Sequence, residues 1–186
     1  MSLFQRKNSV YVAGIHTMTK LQIRTERDCD VDVICSITER AFRDMPYAGG
    51  DEQDVIDRLR SANGLTLSLI AVLNTEVVGH IAFSPAKAGD GSYPWYALGP
   101  VSVVPEHQRE GIGSALIKDG LAQLRDLDAL GCILTGNPLY YQKFGFELAP
   151  DNTPRNESEQ FFMVKQLSDT VPQGRFAFHG AFYGEA

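Results

Sequence analysis

Cysteine is scarce in this chain of 186 residues. Cys29, Cys35 and Cys132 are scattered and lack the paired spacing of a metal site. An odd, sparse set excludes a disulfide framework and points to reduced thiols in a cytosolic protein. No run approaches the ~18 apolar residues of a membrane span, and Arg6 and Lys7 precede no apolar stretch of a signal peptide. Positive charge is short as well. With 17 Lys and Arg against 23 Asp and Glu, the net charge of −6 argues against a general nucleic-acid binder. Repeats and low-complexity tracts are absent. What remains is an ordinary globular composition, 44% hydrophobic and 22% charged, on a length that suits one domain.

Residues 1–19 read as a leader, with a start nearer Met18, or as an edge segment through Val10–Ala13. From Leu21 the pattern is regular. Leu21–Thr25 alternates as a strand, and Asp28 or Asp30 can cap a helix that turns Val33, Ile34, Ile37 and Ala41 to one side. After a loop over Phe42–Gly50, Asp51 starts a short helix with Val55, Ile56 and Leu59 inward, ended by Asn63-Gly64. Leu65–Leu73 and Val77–Ser84 are strands of a hairpin turned at Asn74-Thr75, and Gly79 within the second signals a bulge or a close backbone approach.

Pro85–Tyr93 is a polar loop, and Trp95–Val104 a strand interrupted at Gly99-Pro100. A helix over Gly111–Leu127 aligns Ile112, Leu116, Gly120 and Leu124. Gly131–Thr135 (strand), Asn137–Phe144 (short helix), Phe146–Leu148 (strand), a polar loop to Gln160 and Phe161–Leu167 (strand) follow. This order predicts an α/β fold on a mixed sheet. The tail with Phe176, Phe178, Phe182 and Tyr183 is too apolar to hang free, and covers a sheet edge or a dimer partner.

The stretch Gln108-Arg109-Glu110-Gly111-Ile112-Gly113-Ser114 joins strand to helix. A helix start carries N–H groups without intrahelical partners and partial positive charge, so a glycine-rich turn there suits a phosphate. The order is neither the dinucleotide G-x-G-x-x-G nor a Walker loop. Preceded by Val-Val-Pro105, it resembles the coenzyme-A signature Q/R-x-x-G-x-G/A of the GNAT acetyltransferase superfamily. Gly136-Asn-Pro-Leu-Tyr-Tyr-Gln-Lys-Phe-Gly-Phe146 resembles the other signature of that superfamily, in the form found in its YhbS-like subgroup.

The resemblance spans residues 20–186, taken as one domain, and implies a GNAT-like fold with helices on both faces of a sheet whose central parallel strands splay. It implies transfer of an acetyl group from acetyl-coenzyme A, with no metal, to a primary amine of a small molecule or peptide. The pantetheine arm would pair with the backbone of Val101, Ser102 and Val103. The pyrophosphate would sit over Arg109, Glu110, Gly111, Ile112, Gly113 and Ser114, with help from the Gln108 backbone, Asn137 and Tyr140. Tyr141 is the expected general acid, Tyr140 the alternative. The superfamily often carries a Glu on the leading strand, but Trp95–Val104 has no acidic residue, so the base is unassigned: a water relay or His80. Glu106 and His107 would shape the turn, and Cys132 would be a small core residue. Two other roles fit the same residues: a non-catalytic acyl-coenzyme-A-binding module, or an interaction subunit using the aromatic tail. The acceptor would meet the loops Phe42–Gly50, Pro85–Tyr93 and Asp151–Gln160.

Overall fold

The sheet is built outward from one hairpin. β3 (Leu67–Leu73) and β4 (Glu76–Ala86) pair antiparallel around Asn74, whose φ of 58° suits a residue that tolerates the left-handed region. The structure is a computed structural model that describes residues 9–11, 20–45 and 49–185. β1 (Ser9–Tyr11) and β2 (Lys20–Thr25) extend the sheet beyond β3, and β5 (Trp95–Val103) pairs antiparallel with β4. β6 (Gly131–Thr135), β7 (Glu147–Leu148) and β8 (Phe162–Gln166) complete an eight-stranded order β1-β2-β3-β4-β5-β6-β8-β7. The expected edge segment is thus represented by Ser9–Tyr11, while Val12 and Ala13 lie outside the described residues.

Strand alternation sends successive side chains to opposite faces. On one face, α1 (Val31–Phe42) and α2 (Glu52–Ser61) cover Ile70 with Ile34 and Ile56. On the other, α3 (Ile112–Asp126) buries Ile112, Leu116, Ile117, Leu121 and Leu124 against a core that includes Ile81 and Phe83. Gly79 makes the expected close approach and bulge: the register slips beside it, and a Cβ there would lie 3.0 Å from the Ser102 carbonyl. No helix among the described residues is long and apolar enough to cross a membrane.

The aromatic tail covers a face of the sheet rather than an edge. Phe176 packs between Trp95 and Phe162, at ring distances of 5.0 and 6.1 Å. Backbone bonds between Lys87, just after β4, and Ala177, and a side-chain bond from Arg58 Nε of α2 to the Ala181 carbonyl at 2.8 Å, hold the tail in place. Its apolar side chains are therefore satisfied within the chain.

α3 approaches the sheet through Gly120, where an added Cβ would overlap the fully buried Phe83 ring. Helix propensity alone favours Ala over Gly by ~1 kcal/mol. Here overpacking, at ~1–3 kcal/mol, outweighs it, and Gly120→Ala should lose up to ~2 kcal/mol net in denaturant unfolding. A gain in stability would show that the helix can lift off Phe83 freely.

Candidate functional site

The parallel strands β5 and β6 pair only at Trp95–Ala97 against Gly131–Ile133. Beyond that point they part, while each keeps its outer neighbour: β5 pairs with β4 through Val103, and β6 with β8 through Thr135. The Gly99-Pro100 interruption is the register shift expected there. Which groups face the gap follows from alternation. The Val104 N–H donates to the Val78 carbonyl at 2.9 Å, toward β4. Val101 and Val103 therefore turn their N–H and C=O into the gap, and Ser102 turns its own toward β4. The Ser102 side chain is also directed away, its Oγ lying 3.2 Å from Thr38 Oγ1 of α1.

At one mouth of this gap α3 begins without a side-chain cap. Its N-cap is Gly111, at φ 89°, which supplies no oxygen for the first-turn amides. The N–H groups of Gly113 and Ser114 are left to an external partner, at the positive end of a 15-residue helix. No atom lies within 4 Å of the position a Gly111 Cβ would take, whereas a Gly113 Cβ would sit 3.2 Å from the Tyr140 hydroxyl. So the glycines differ in purpose: Gly111 sets the turn, and Gly113 admits Tyr140. Gln108 Nε2 donates to the Val103 carbonyl at 3.2 Å, linking the turn to the open strand edge by side chain, not only by backbone.

Local charge is arranged against the acidic whole. Glu106 pairs with Arg40 at 2.6 Å, and Glu110 lies 3.0 Å from the His107 ring, which leaves Arg109 as the cation over the turn. Ile112 belongs to the core and Glu110 points to His107, so neither side chain lines the gap.

Across the gap, Asn137 caps α4 (Pro138–Tyr141), its side chain accepting the Leu139 N–H at 3.0 Å. A 3-10 turn follows and ends at Gly145, φ 81°. Tyr140 leans over Gly113, with Lys143 Nζ 4.0 Å from its ring centroid. Tyr141 packs against Gly136, Phe144 and Phe146, beside the end of β6. Neither hydroxyl has a hydrogen-bond partner among the described residues. Burial pushes the Tyr141 phenol above its ordinary value, and pushes the neighbouring Cys132 thiol up too.

Turn, strand edge, Tyr140 and Tyr141 line one cleft of about 860 Å³. Its lining also includes Phe42, Met45, Glu52, Glu157, Phe178 and Phe182. Two of the expected acceptor loops therefore contribute, though Pro46–Ala48 lie outside the described residues, and Pro85–Tyr93 does not line the cleft. The tail takes that place: the Phe182 ring lies 4.0 Å from the Cβ position of Gly99. Aromatic density marked the tail as buried, but no local signal in the sequence assigned it to the cleft.

Residues 32–146 match the acetyltransferase (GNAT) family. Over 156 residues the chain is 29% identical to the uncharacterised N-acetyltransferase YhbS of Escherichia coli, covering 82% of this chain and 90% of that one. A GNAT family acetyltransferase from Brucella melitensis, solved in complex with acetyl-coenzyme A, is 45% identical, with a TM-score of 0.77 over 87% of this chain and 97% of that one. YhbS itself, solved with coenzyme A, superposes with a TM-score of 0.82 at 26% identity, over 92% and 96% of the two chains. The fold is that of an acyl-coenzyme-A-dependent acyltransferase. The chain belongs to the GNAT acetyltransferase family.

His80 is not part of the cleft. It is fully buried opposite Ser102 with Nε2 2.8 Å from Ser68 Oγ, and Nδ1 has no partner. Ser68 in turn contacts Glu26, which pairs with Arg60 at 3.0 Å. Desolvation pushes His80 down to about 4, outweighing Glu26, so the ring is neutral when folded. An unfolded chain takes up this proton below ~6.5, and the folded chain does not. The stability due to neutral His80 is complete above ~6.5 and falls as pH drops toward about 4. Lowering the pH to 4.5 should thus cost about 2 kcal/mol through this residue. Urea unfolding of His80→Leu should show a correspondingly flatter pH profile. Equal slopes in both proteins would mean that the folded chain protonates His80 as readily as the unfolded one.

Proposed function

We propose that the chain, with residues 20–186 as its catalytic unit, moves the acetyl group of acetyl-coenzyme A to a primary amine by direct attack in a ternary complex. The observation that carries this is the alignment in one cleft of the uncapped start of α3 with the open edge of β5. A polyanion with a peptide-like arm needs both. The pyrophosphate is held by the Gly113 and Ser114 amides and by Arg109; Glu110, Gly111 and Ile112 contribute backbone alone. The arm pairs with Val101 and Val103 as a strand would, and Gln108 keeps the turn in register with that edge. Tyr140, over Gly113, closes the phosphate end.

The thioester oxygen accepts an N–H from this edge, which stabilises the oxyanion formed on attack. The ammonium first loses a proton to water, the free amine nitrogen bonds to the carbonyl carbon, and that nitrogen, now cationic, releases a second proton to water to leave the neutral amide. The carbon–sulfur bond then breaks, and the sulfur leaves with the electron pair. Tyr141 gives its hydroxyl proton to that thiolate and is reprotonated from solvent. The desolvation that lifts the Cys132 thiol acts on any thiolate beside it, which favours proton transfer to sulfur. Tyr141, beside β6 and the gap, is better placed for this than Tyr140, whose hydroxyl is at the helix start.

A second reading, an acyl-coenzyme-A-binding module without turnover, is favoured by the lack of any acidic residue in Trp95–Val104. Thiol release with acetyl-coenzyme A and an amine panel separates the two. Tyr141→Phe keeps the packing ring and removes one proton, so turnover should fall by ~10²–10⁴ with coenzyme affinity near wild type. Tyr140→Phe should act on coenzyme binding instead. Full turnover in Tyr141→Phe with a collapse in Tyr140→Phe would reverse the assignment.

A further inference from the structure

The cleft is electrically divided. Its cations, Arg109 and Lys143, belong to the phosphate turn and the 3-10 turn after α4, while its carboxylates, Glu52 and Glu157, share the lining with Phe42, Met45, Phe178 and Phe182. The two carboxylates are not equivalent. Glu52 is occupied by the loop it caps, accepting the Gly49 and Gly50 N–H groups at 2.7 and 3.1 Å. Glu157 accepts only the Tyr183 hydroxyl, 3.1 Å from Oε1; its Oε2 has no partner among the described residues. Burial and this carboxylate together push the Tyr183 phenol up, so it stays a donor.

The walls are aromatic and fixed. Phe178 and Phe182 meet with their rings tilted by 44° at 5.3 Å, Phe178 packs edge-on against Phe162, and the tail is tied to Lys87 just after β4 and to Arg58 of α2. Phe42 and Met45 stand on the α1 side of the cleft. Phe182 lies against Gly99, two residues before the open edge begins at Val101. An acceptor seated between these walls therefore approaches the edge where the thioester would lie.

Resting on the transfer reading above, we propose that the acceptor is a small primary amine on an apolar body of aromatic size. Its nitrogen is drawn in as the ammonium by Glu157 and turns to the thioester as the free amine once its proton has passed to water, while its body lies between Phe178 with Phe182 and Phe42 with Met45. A lone cation entering an apolar wall needs a carboxylate partner, and gains further from a ring face. A polyamine would have to desolvate a second charge against Phe side chains, and an amino sugar would bury unpaired hydroxyls. A free amino acid would bring its own carboxylate against Glu157 and Glu52.

The test measures thiol release with 2-phenylethylamine, spermidine, glucosamine, phenylalanine and a phenylalanine-led tetrapeptide amide, with acetyl-coenzyme A binding followed by calorimetry. The proposal expects kcat/KM for 2-phenylethylamine to lead by ~10-fold or more. Glu157→Gln keeps the bond from Tyr183 and should raise KM for that amine ~10-fold, with kcat within ~2-fold. Competitive inhibition by neutral 2-phenylethanol should be unchanged in Glu157→Gln and weakened in Phe182→Ala. A purely structural role for Glu157 would weaken amine and alcohol alike, which overturns its assignment. Preference for spermidine, glucosamine or phenylalanine overturns the apolar acceptor, and preference for the tetrapeptide overturns a small one, while transfer itself stands. No thiol from any amine, with acetyl-coenzyme A still bound, defeats the transfer reading as well.

Discussion

Two parallel strands that pair for three residues and then separate govern what this chain can bind. A parallel pair ordinarily continues, because an unpaired backbone N–H or C=O away from water is costly. Here each strand keeps its antiparallel neighbour on the outer side, so the sheet survives the parting. The Gly99-Pro100 shift lets β5 regain its register with β4, and Gln108 satisfies one of the freed carbonyls. The remaining groups of Val101 and Val103 form a rigid, one-sided template for an extended ligand.

Electrostatics follows from the same gap. A chain of net charge −6 has no favourable long-range field for a polyphosphate. On the proposed reading it relies on short-range terms: amides at a glycine-capped helix start, Arg109, and carboxylates near the turn that are already engaged by Arg40 and His107. The acidic excess is then free to favour a cationic acceptor, which on the proposed reading meets Glu157 while the donor's phosphates meet the turn.

Much of this was legible in the sequence where cause and effect are local. The stripe Ile112, Leu116, Gly120 and Leu124, the turn at Gln108–Ser114, the strand interrupted at Gly99-Pro100 and the α4 segment each carry their own periodicity or turn chemistry. The structure places them as expected. What was not legible depends on contacts distant in the chain. The aromatic tail signals burial, but only the pairing of Ala177 with Lys87 and the contact of Phe182 with Gly99 put it in the cleft. Pro85–Tyr93 was expected to meet the acceptor because loops carry the variable contacts of a shared scaffold, yet being a loop does not say which side of the sheet it leaves from. Ser102 and Asn137 show the same limit: motif position brought them to the site, while Thr38 and Leu139 take up their side chains.

The most direct test of the open template is residue-resolved amide exchange with and without coenzyme A. In the free protein, Ser102 and Val104 should be protected by β4, whereas Val101 and Val103 should exchange quickly. Saturating coenzyme A should slow Val101, Val103, Gly113 and Ser114 and leave Ser102 and Val104 unchanged. Protection of Val101 and Val103 already present without ligand, or unaltered by it, would contradict the claim that this edge is what the donor binds.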